Sequence, residues 1–261
     1  MGLGDQLIAT GMARGARASG KQIAFGDGRR IKWDQNSATV FQGNPNIAPP
    51  GSERRPRGLE WVRYYKGHRI YNTHDVSRNR WIWNEDFHPV PGEMFLSDAE
   101  KRTAARHGSR FIVIEPNVET WKSSAANKDW GRQKYQEVAD VLRRDHRVVQ
   151  FTHPKSGPVL RGVEAVPTHG FRDALGILEH ATLYVGPEGG LHHGAAAMNV
   201  RGVVLFGGFI PPTVTGYDMH ANLTGGAEAC GSLSPCKHCK AAMAAISVDE
   251  VLEAAKERLT A

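Results

Sequence analysis

The residues best suited to chemistry stand in one run, Tyr184-Val-Gly-Pro-Glu188-Gly189-Gly190-Leu-His192-His193, which leads into Ala195, Ala196 and Ala197. The pattern is a strand, a glycine-rich turn and the start of a small-residue helix. The first N–H groups of such a helix have no partner within it, and Gly189 and Gly190 let a ligand come close to the backbone. Both features suit a diphosphate. Glu188 stands where a carboxylate can accept hydrogen bonds from ribose or sugar hydroxyls. The alanines suit close packing of helix on sheet. His193 reads either as a ligand contact or as a packed helix-start residue, and His192 as structural or exposed.

Four other groups invite a role, each with a plain alternative. Lys128, in Asn127-Lys128-Asp-Trp130, follows a strand, where a cation can face a diphosphate; it also reads as a solvated loop lysine. Asp5, in Gly2-Leu3-Gly4-Asp5, sits in a glycine turn at a helix start, as a general base or simply as a cap. Asp27 and Asp34 are the alternative bases. Cys230, Cys236 and Cys239 carry metal-like spacing, with His238 beside them. A tetrahedral zinc site needs one more ligand than the three thiols, so the reading without metal is a packed cysteine cluster under the closing helix. No Asp-x-Asp metal motif occurs. Finally, Asn44 and Asn46 lie in a Pro-rich polar loop among Arg29, Arg30, Trp33, Arg54, Arg55, Arg57, Trp61, Arg63, Tyr64 and Tyr65. Aromatics interleaved with arginines can stack sugars or bases and pair phosphates, so Trp33, Asn44 and Asn46 are acceptor candidates. A solvated basic face over a small apolar cluster is the competing reading.

The elements that must position these residues are legible from Arg110 onward. Strands are expected at Phe111–Glu115, Val148–Thr152, Ala181–Val185 and Gly202–Phe206. Helices are expected at Gln133–Arg143, Phe171–His180, Leu191–Met198 and Val248–Leu259, the last capped by Ser247 with Glu250. Short apolar strands alternating with helices predict a parallel sheet covered on both faces. Ligands bind such sheets beyond the carboxyl ends of the strands, here segments 116–128, 153–157, 186–193 and 207–222. Before Arg110 the pattern is weaker. An amphipathic helix with Leu7, Ile8 and Met12 precedes a strand at Gln22–Phe25. Residues 31–98 read as loop-rich with short strands at Trp61–Tyr65 and His68–Tyr71, and 99–108 as a connecting helix.

The 261 residues suffice for two small α/β domains. No apolar run reaches spanning length, and the first residues lack a basic segment and an apolar core. A cytoplasmic protein is expected, with peripheral association at the inner membrane face as an option. Three clustered cysteines argue against a disulfide framework. The net charge of +6 favours an anionic partner, whether nucleotide, glycolipid or nucleic acid.

Glu188, Gly189, Gly190, His193, the alanine run and Leu205-Phe206-Gly207 occur in an order that resembles the heptosyltransferases, glycosyltransferase family 9. The Gly-x-Gly-Asp turn at Asp5 and the Lys-x-Trp segment at Lys128 agree with it. The family usually has Asp in place of Glu188 and Thr or Ser in place of Gly189. The resemblance covers Phe111 onward and the first dozen residues, and leaves 31–98 unaligned. It implies a GT-B-like fold of two Rossmann-like domains facing across a cleft, the N-terminal one reduced or irregular: 1–105 on the acceptor side and 106–261 binding a nucleotide sugar. It also implies Asp5 as catalytic base, and Lys128, Glu188, Gly189, Gly190 and His193 as donor contacts, without a metal. The implied activity is sugar transfer from a nucleotide-diphosphate donor to a lipopolysaccharide or other glycan. A hydroxymethylated DNA base is the alternative acceptor, and a non-catalytic nucleotide- or nucleic-acid-binding module is the reading from another class.

Overall fold

Alternation of side chains along the strands explains the main sheet. Phe111 and Val113 face one apolar core and Ile112 and Ile114 another. Tyr184 likewise opposes Leu183 and Val185, and Val204 opposes Val203 and Leu205. A strand buried on both faces must be apolar at nearly every position, which is what these segments are. The computed structural model describes residues 1–118 and 123–260. Residues 119–122 of the expected ligand-facing segment 116–128 lie outside them.

The element order is α1 (Leu3–Ala13), β1 (Gln22–Phe25), α2 (Gln35–Phe41), β2 (Leu59–Val62), β3 (Asn72–Asp75), β4 (Arg80–Trp83), α3 (Asp98–Ala105), β5 (Phe111–Ile114), α4 (Arg132–Leu142), β6 (Arg147–Thr152), β7 (Glu164–Pro167), α5 (Phe171–Leu178), β8 (Ala181–Pro187), α6 (Gly190–Ala197), β9 (Gly202–Leu205), α7 (Pro212–Thr215), β10 (His220–Leu223), α8 (Lys237–Ala245) and α9 (Val248–Thr260). The six strands from β5 to β10 form one parallel sheet in the order β10-β9-β8-β5-β6-β7. The chain winds outward through β6 and β7, then returns to the other side of β5 with β8. The crevice at the carboxyl ends of β5 and β8 is therefore the topological switch point, where doubly wound sheets take their ligands. The fold is the expected Rossmann-like α/β class.

The N-terminal part is reduced. It holds a two-stranded parallel sheet, β1 with β2, and an antiparallel hairpin, β3 with β4. Three expectations for it need correction. Residues 35–41 form a helix, because Asp34 caps it by accepting the Ser37 N–H at 2.9 Å. The strand expected at Trp61–Tyr65 ends at Val62, and Tyr65 pairs only with His68 across a turn at Lys66 and Gly67, with φ +89° at the glycine. The strand expected at His68–Tyr71 is displaced, to β3 starting at Asn72. The Ser247 cap of α9 is present, its Oγ accepting the Glu250 N–H at 3.0 Å.

α1 packs directly on α6. A Cβ on Gly4 would lie 2.6 Å from His193 Cδ2 and 3.6 Å from the Gly190 Cα, so only glycine permits this approach. Farther along, Arg172 joins α5 to α3 and α2 through Glu100 (2.5 and 2.9 Å) and the carbonyls of Phe95 (2.6 Å) and Thr39 (3.1 Å).

Candidate active site

At the end of β8 the Glu188 N–H still bonds the Leu205 carbonyl, at 3.1 Å, which fixes the turn before α6. The Glu188 side chain is 6% exposed and meets the Lys128 ammonium, which arrives from the turn of 3-10 helix at Ser123–Lys128 beyond β5. Lys128 Nζ also lies 3.4 Å from the Glu188 carbonyl oxygen. His193 Nε2 stands 3.5 Å from Glu188 Oε1, while its Nδ1 is 2.8 Å from the Tyr217 hydroxyl. Burial alone would raise the Glu188 carboxyl. The Lys128 ammonium, with His193 and His192, outweighs it and holds the group well below the usual carboxylate range.

The structure thus brings together Lys128, Glu188, Gly189, Gly190 and His193. His192 is fully buried, and is not an exposed residue. Its Nδ1 accepts the Gly189 N–H at 3.4 Å, and its ring packs on His193, Phe206, Tyr217 and His220. Burial, and the neighbouring His193, push its pKa well below the ordinary histidine value, so it stays neutral.

Asp5 joins the same neighbourhood through the contact of Gly4 with His193. Its carboxylate accepts from the Gly2 N–H at 2.6 Å, from Arg69 at 3.0 Å and from the Tyr71 hydroxyl. The Tyr64 hydroxyl donates to its backbone carbonyl at 3.0 Å. Arg69 and Tyr71 are site residues that sequence reasoning did not single out. They belong to the stretch without periodicity, and only the chain path brings them to α1. The alternative bases have local partners: Asp27 accepts the Arg29 and Arg30 N–H groups in an exposed turn, and Asp34 pairs with the Met1 ammonium.

Glu115 is a third residue missed in the sequence, although it closes the strand segment expected there. It follows β5 at the switch point, its N–H bonded to the Val185 carbonyl at 2.8 Å. Burial pushes its carboxyl up to about 7, against the Asn117 N–H and amide donors, which pull it down. A carboxyl raised this far by burial can serve, when protonated, as a hydrogen-bond donor as well as an acceptor.

The acceptor candidates are dispersed differently. Trp33 and Asn44 line a groove of about 310 Å³ together with Phe41, Ile47 and Pro49. Asn44 and Asn46 are themselves buried: Asn44 Oδ1 accepts the Asn46 N–H at 2.9 Å, and Asn46 Nδ2 donates to Glu93 at 3.2 Å. Arg29, Arg30, Arg54, Arg55, Arg57 and Arg63 are exposed. The three cysteines gather at the start of α8 and the loop before it, with Sγ–Sγ distances of 3.7 Å for Cys230–Cys236 and 3.2 Å for Cys230–Cys239. No helix among the described residues is long and apolar enough to cross a membrane.

Comparison with known proteins bears on the fold and the family. The E. coli ADP-heptose lipopolysaccharide heptosyltransferase II is 20% identical over 69% of this chain and 54% of its own, with a TM-score of 0.46. The chain thus spans about half of that enzyme. A family 9 glycosyl transferase from Veillonella parvula is 16% identical, covering 100% of this chain and 95% of its own, with a TM-score of 0.67. TibC, described as an iron-containing dodecameric glycosyltransferase from enterotoxigenic E. coli, is 12% identical over 80% of this chain and 67% of its own, with a TM-score of 0.50. No curated protein matches. The model of glycosyltransferase family 9 (heptosyltransferase) matches residues 34–244, most of the chain, and the chain belongs to that family.

Proposed function

We propose that the protein transfers a sugar from a nucleoside diphosphate to an acceptor hydroxyl, with residues 106–261 holding the donor and 1–105 facing the acceptor. The observation that carries this reading is the Lys128–Glu188 pair at the opening of α6, at the switch point of the sheet, with the Asp5 turn laid against His193. The diphosphate takes Lys128 as its cation and the first N–H groups of α6 as its dipole. Glu188, released from Lys128, accepts from ribose hydroxyls. Gly189 and Gly190 allow the close approach, and His193 contacts the donor from the helix. Asp5 takes the acceptor proton as the hydroxyl oxygen bonds to the anomeric carbon. The bond from that carbon to phosphate breaks, and the nucleoside diphosphate leaves with the electron pair. In this reading the acceptor hydroxyl takes over the place from which the Tyr71 hydroxyl donates to Asp5.

Lys128 and α6 supply the positive charge that such a reaction needs, so the transfer is metal-independent. The donor is of the ADP-heptose type and the acceptor a lipopolysaccharide-type glycan, in line with the activity named for the E. coli relative. The acceptor lies along the groove of Trp33 and Asn44, whereas Asn46 holds the loop. We place the protein in the cytoplasm, peripheral to the inner membrane face. The test is calorimetric titration with ADP, UDP, GDP and their sugars, followed by turnover of Asp5→Asn at saturating donor. Donor binding should persist in Asp5→Asn while turnover falls by about a hundredfold or more, as for loss of a general base. Near-normal turnover would remove Asp5 from that role, and a nucleotide located only against residues 1–100 would overturn the donor assignment.

A further inference from the structure

Cys230, Cys236 and Cys239 come from a ten-residue stretch, and their sulfurs lie within 4.8 Å of one another. An ion with metal–sulfur bonds of about 2.3 Å in tetrahedral geometry needs sulfurs about 3.8 Å apart. The observed 3.7 and 3.2 Å approach that edge, and both exceed the roughly 2 Å of a disulfide. Backbone donors already point at the sulfurs: the Cys239 N–H meets Cys236 Sγ at 3.3 Å, and the Ser232 N–H meets Cys230 Sγ at 3.5 Å. Such donors orient and stabilise thiolate ligands. Cys236 also caps the N-terminus of α8, whose dipole favours a thiolate.

The loop that carries these sulfurs is tied to three segments of the candidate active site. Asn127, 1% exposed, donates to the Ser232 and Ser234 carbonyls, both at 2.9 Å, and accepts the Cys236 N–H at 3.0 Å. Its chain neighbour is Lys128. The Cys230 and Gly231 N–H groups bond the Gly208 and Phe209 carbonyls, at 2.9 and 3.0 Å, and the Phe209 ring lies 5.3 Å from Lys128 Nζ. On the other side, the Trp81 N–H bonds the Gly231 carbonyl at 2.9 Å, and the Leu233 N–H bonds the Asn79 carbonyl at 3.1 Å. The Trp81 ring faces Arg69, 5.4 Å away, and Arg69 holds Asp5. A Cβ on Gly231 would fall 2.2 Å from the Trp81 carbonyl oxygen, so this junction admits only glycine.

We propose that Cys230, Cys236 and Cys239 bind a thiolate-preferring divalent transition metal, and that the ion clamps the loop joining the Lys128 segment to the β3–β4 hairpin. Binding releases the thiol protons to solvent. Three soft sulfurs select zinc or ferrous iron over magnesium or calcium. Solvent supplies the fourth ligand, since among the described residues no histidine or carboxylate joins the three sulfurs within 4.8 Å. The inference does not rest on the sugar-transfer reading, because it concerns metal content and local order.

The test begins with full-length protein, reduced and stripped by chelator without oxygen, then offered Zn²⁺, Fe²⁺ or Co²⁺ and freed of excess. The wild type should retain one ion per chain, and Co²⁺ should give a sulfur-to-cobalt charge-transfer band. Cys236→Ser and Cys230→Ser should lose the ion. Should either variant fail to fold, stripped and reloaded wild type provide the same comparison. Retention of Zn²⁺ alone or Fe²⁺ alone would identify the ion and support the proposal. Loading should slow hydrogen exchange in 78–83 and 124–128 and leave β6 unchanged. Failure of the wild type to retain more ion than the serine variants overturns the site. Retention without any change of exchange in those two segments overturns the clamp.

Discussion

Lys128→Ala separates what Lys128 does for stability from what it does for a ligand. The substitution leaves the Glu188 carboxylate, 6% exposed, without its ammonium. Breaking a buried pair by removing one partner costs about 3–5 kcal/mol. Lys128 is 21% exposed and partly hydrated, which lowers the expected loss at pH 7 to about 2–3 kcal/mol. Adding Glu188→Gln removes the stranded charge and should restore most of that loss. Nucleoside diphosphate affinity should fall about 10- to 150-fold in Lys128→Ala, the equivalent of a lost charged contact of about 1.5–3 kcal/mol, and should not recover in the double variant.

The pH dependence has a definite sign. In the wild type the Glu188 carboxyl is held below its ordinary 4.5, so its contribution is complete above about pH 4.5 and is lost as pH falls below it. In Lys128→Ala burial is unopposed by that charge, and the variant regains stability as Glu188 protonates. The stability gap should therefore be largest near pH 7–8 and narrow towards pH 4. Urea unfolding across that range, with calorimetric titration of ADP at pH 7, measures both effects. A gap that is constant with pH, or a double variant no more stable than Lys128→Ala, would refute the buried-charge argument.

Other expectations concern the two sides of the crevice. Gly4→Ala should destabilise by about 1–3 kcal/mol, because the new methyl must displace the His193 ring, and it should depress turnover more than donor binding. Unchanged denaturant midpoint and turnover would mean that α1 does not need this contact. Glu115→Gln should flatten the pH dependence of stability between 4.5 and 7. A carboxyl raised to about 7 in the folded state makes the wild type lose stability as pH rises through that window. The shift bounds the effect at about 3 kcal/mol. Parallel stability curves for the two proteins would contradict it. Arg172→Ala should cost about 2 kcal/mol or more, through the carbonyls of Phe95 and Thr39 left without their donor, and thermal unfolding reads it directly.

The sheet was readable from sequence because burial on both faces forces runs such as Phe111–Ile114 and Gly202–Leu205, and the following helices carry their own periodicity. The edge strand β7 was not. Its burial is confined to Val166, and it ends in Pro167, so no apolar run marks it. α2 was hidden by its polar content, its start signalled only by Asp34. In the site, residues in sequence with a glycine-rich turn were legible, since the turn and the helix start state their own chemistry. Arg69 and Tyr71 were not, because their meeting with Asp5 depends on where residues 64–71 return to α1, a long-range path with no local pattern. The acceptor side shows the converse. Asn44 and Asn46 have the side chains of a recognition loop, but Asn44 spends its side-chain oxygen on its own turn and Asn46 its amide on Glu93.

The docking of α1 on α6 has a consequence for how the protein is made. Leu7, Ile8 and Ala9 in α1 are wholly or almost wholly buried, and the helix that covers their neighbourhood begins only at Gly190. During synthesis α1 can meet α2 early, but α6 only after most of the chain that separates them has been made. Contacts of such wide sequence separation form late and slow the search for the native state. The side of α1 that meets α6 is thus exposed on the nascent chain for longer than any stripe of the main sheet, and chaperone capture or self-association would begin there.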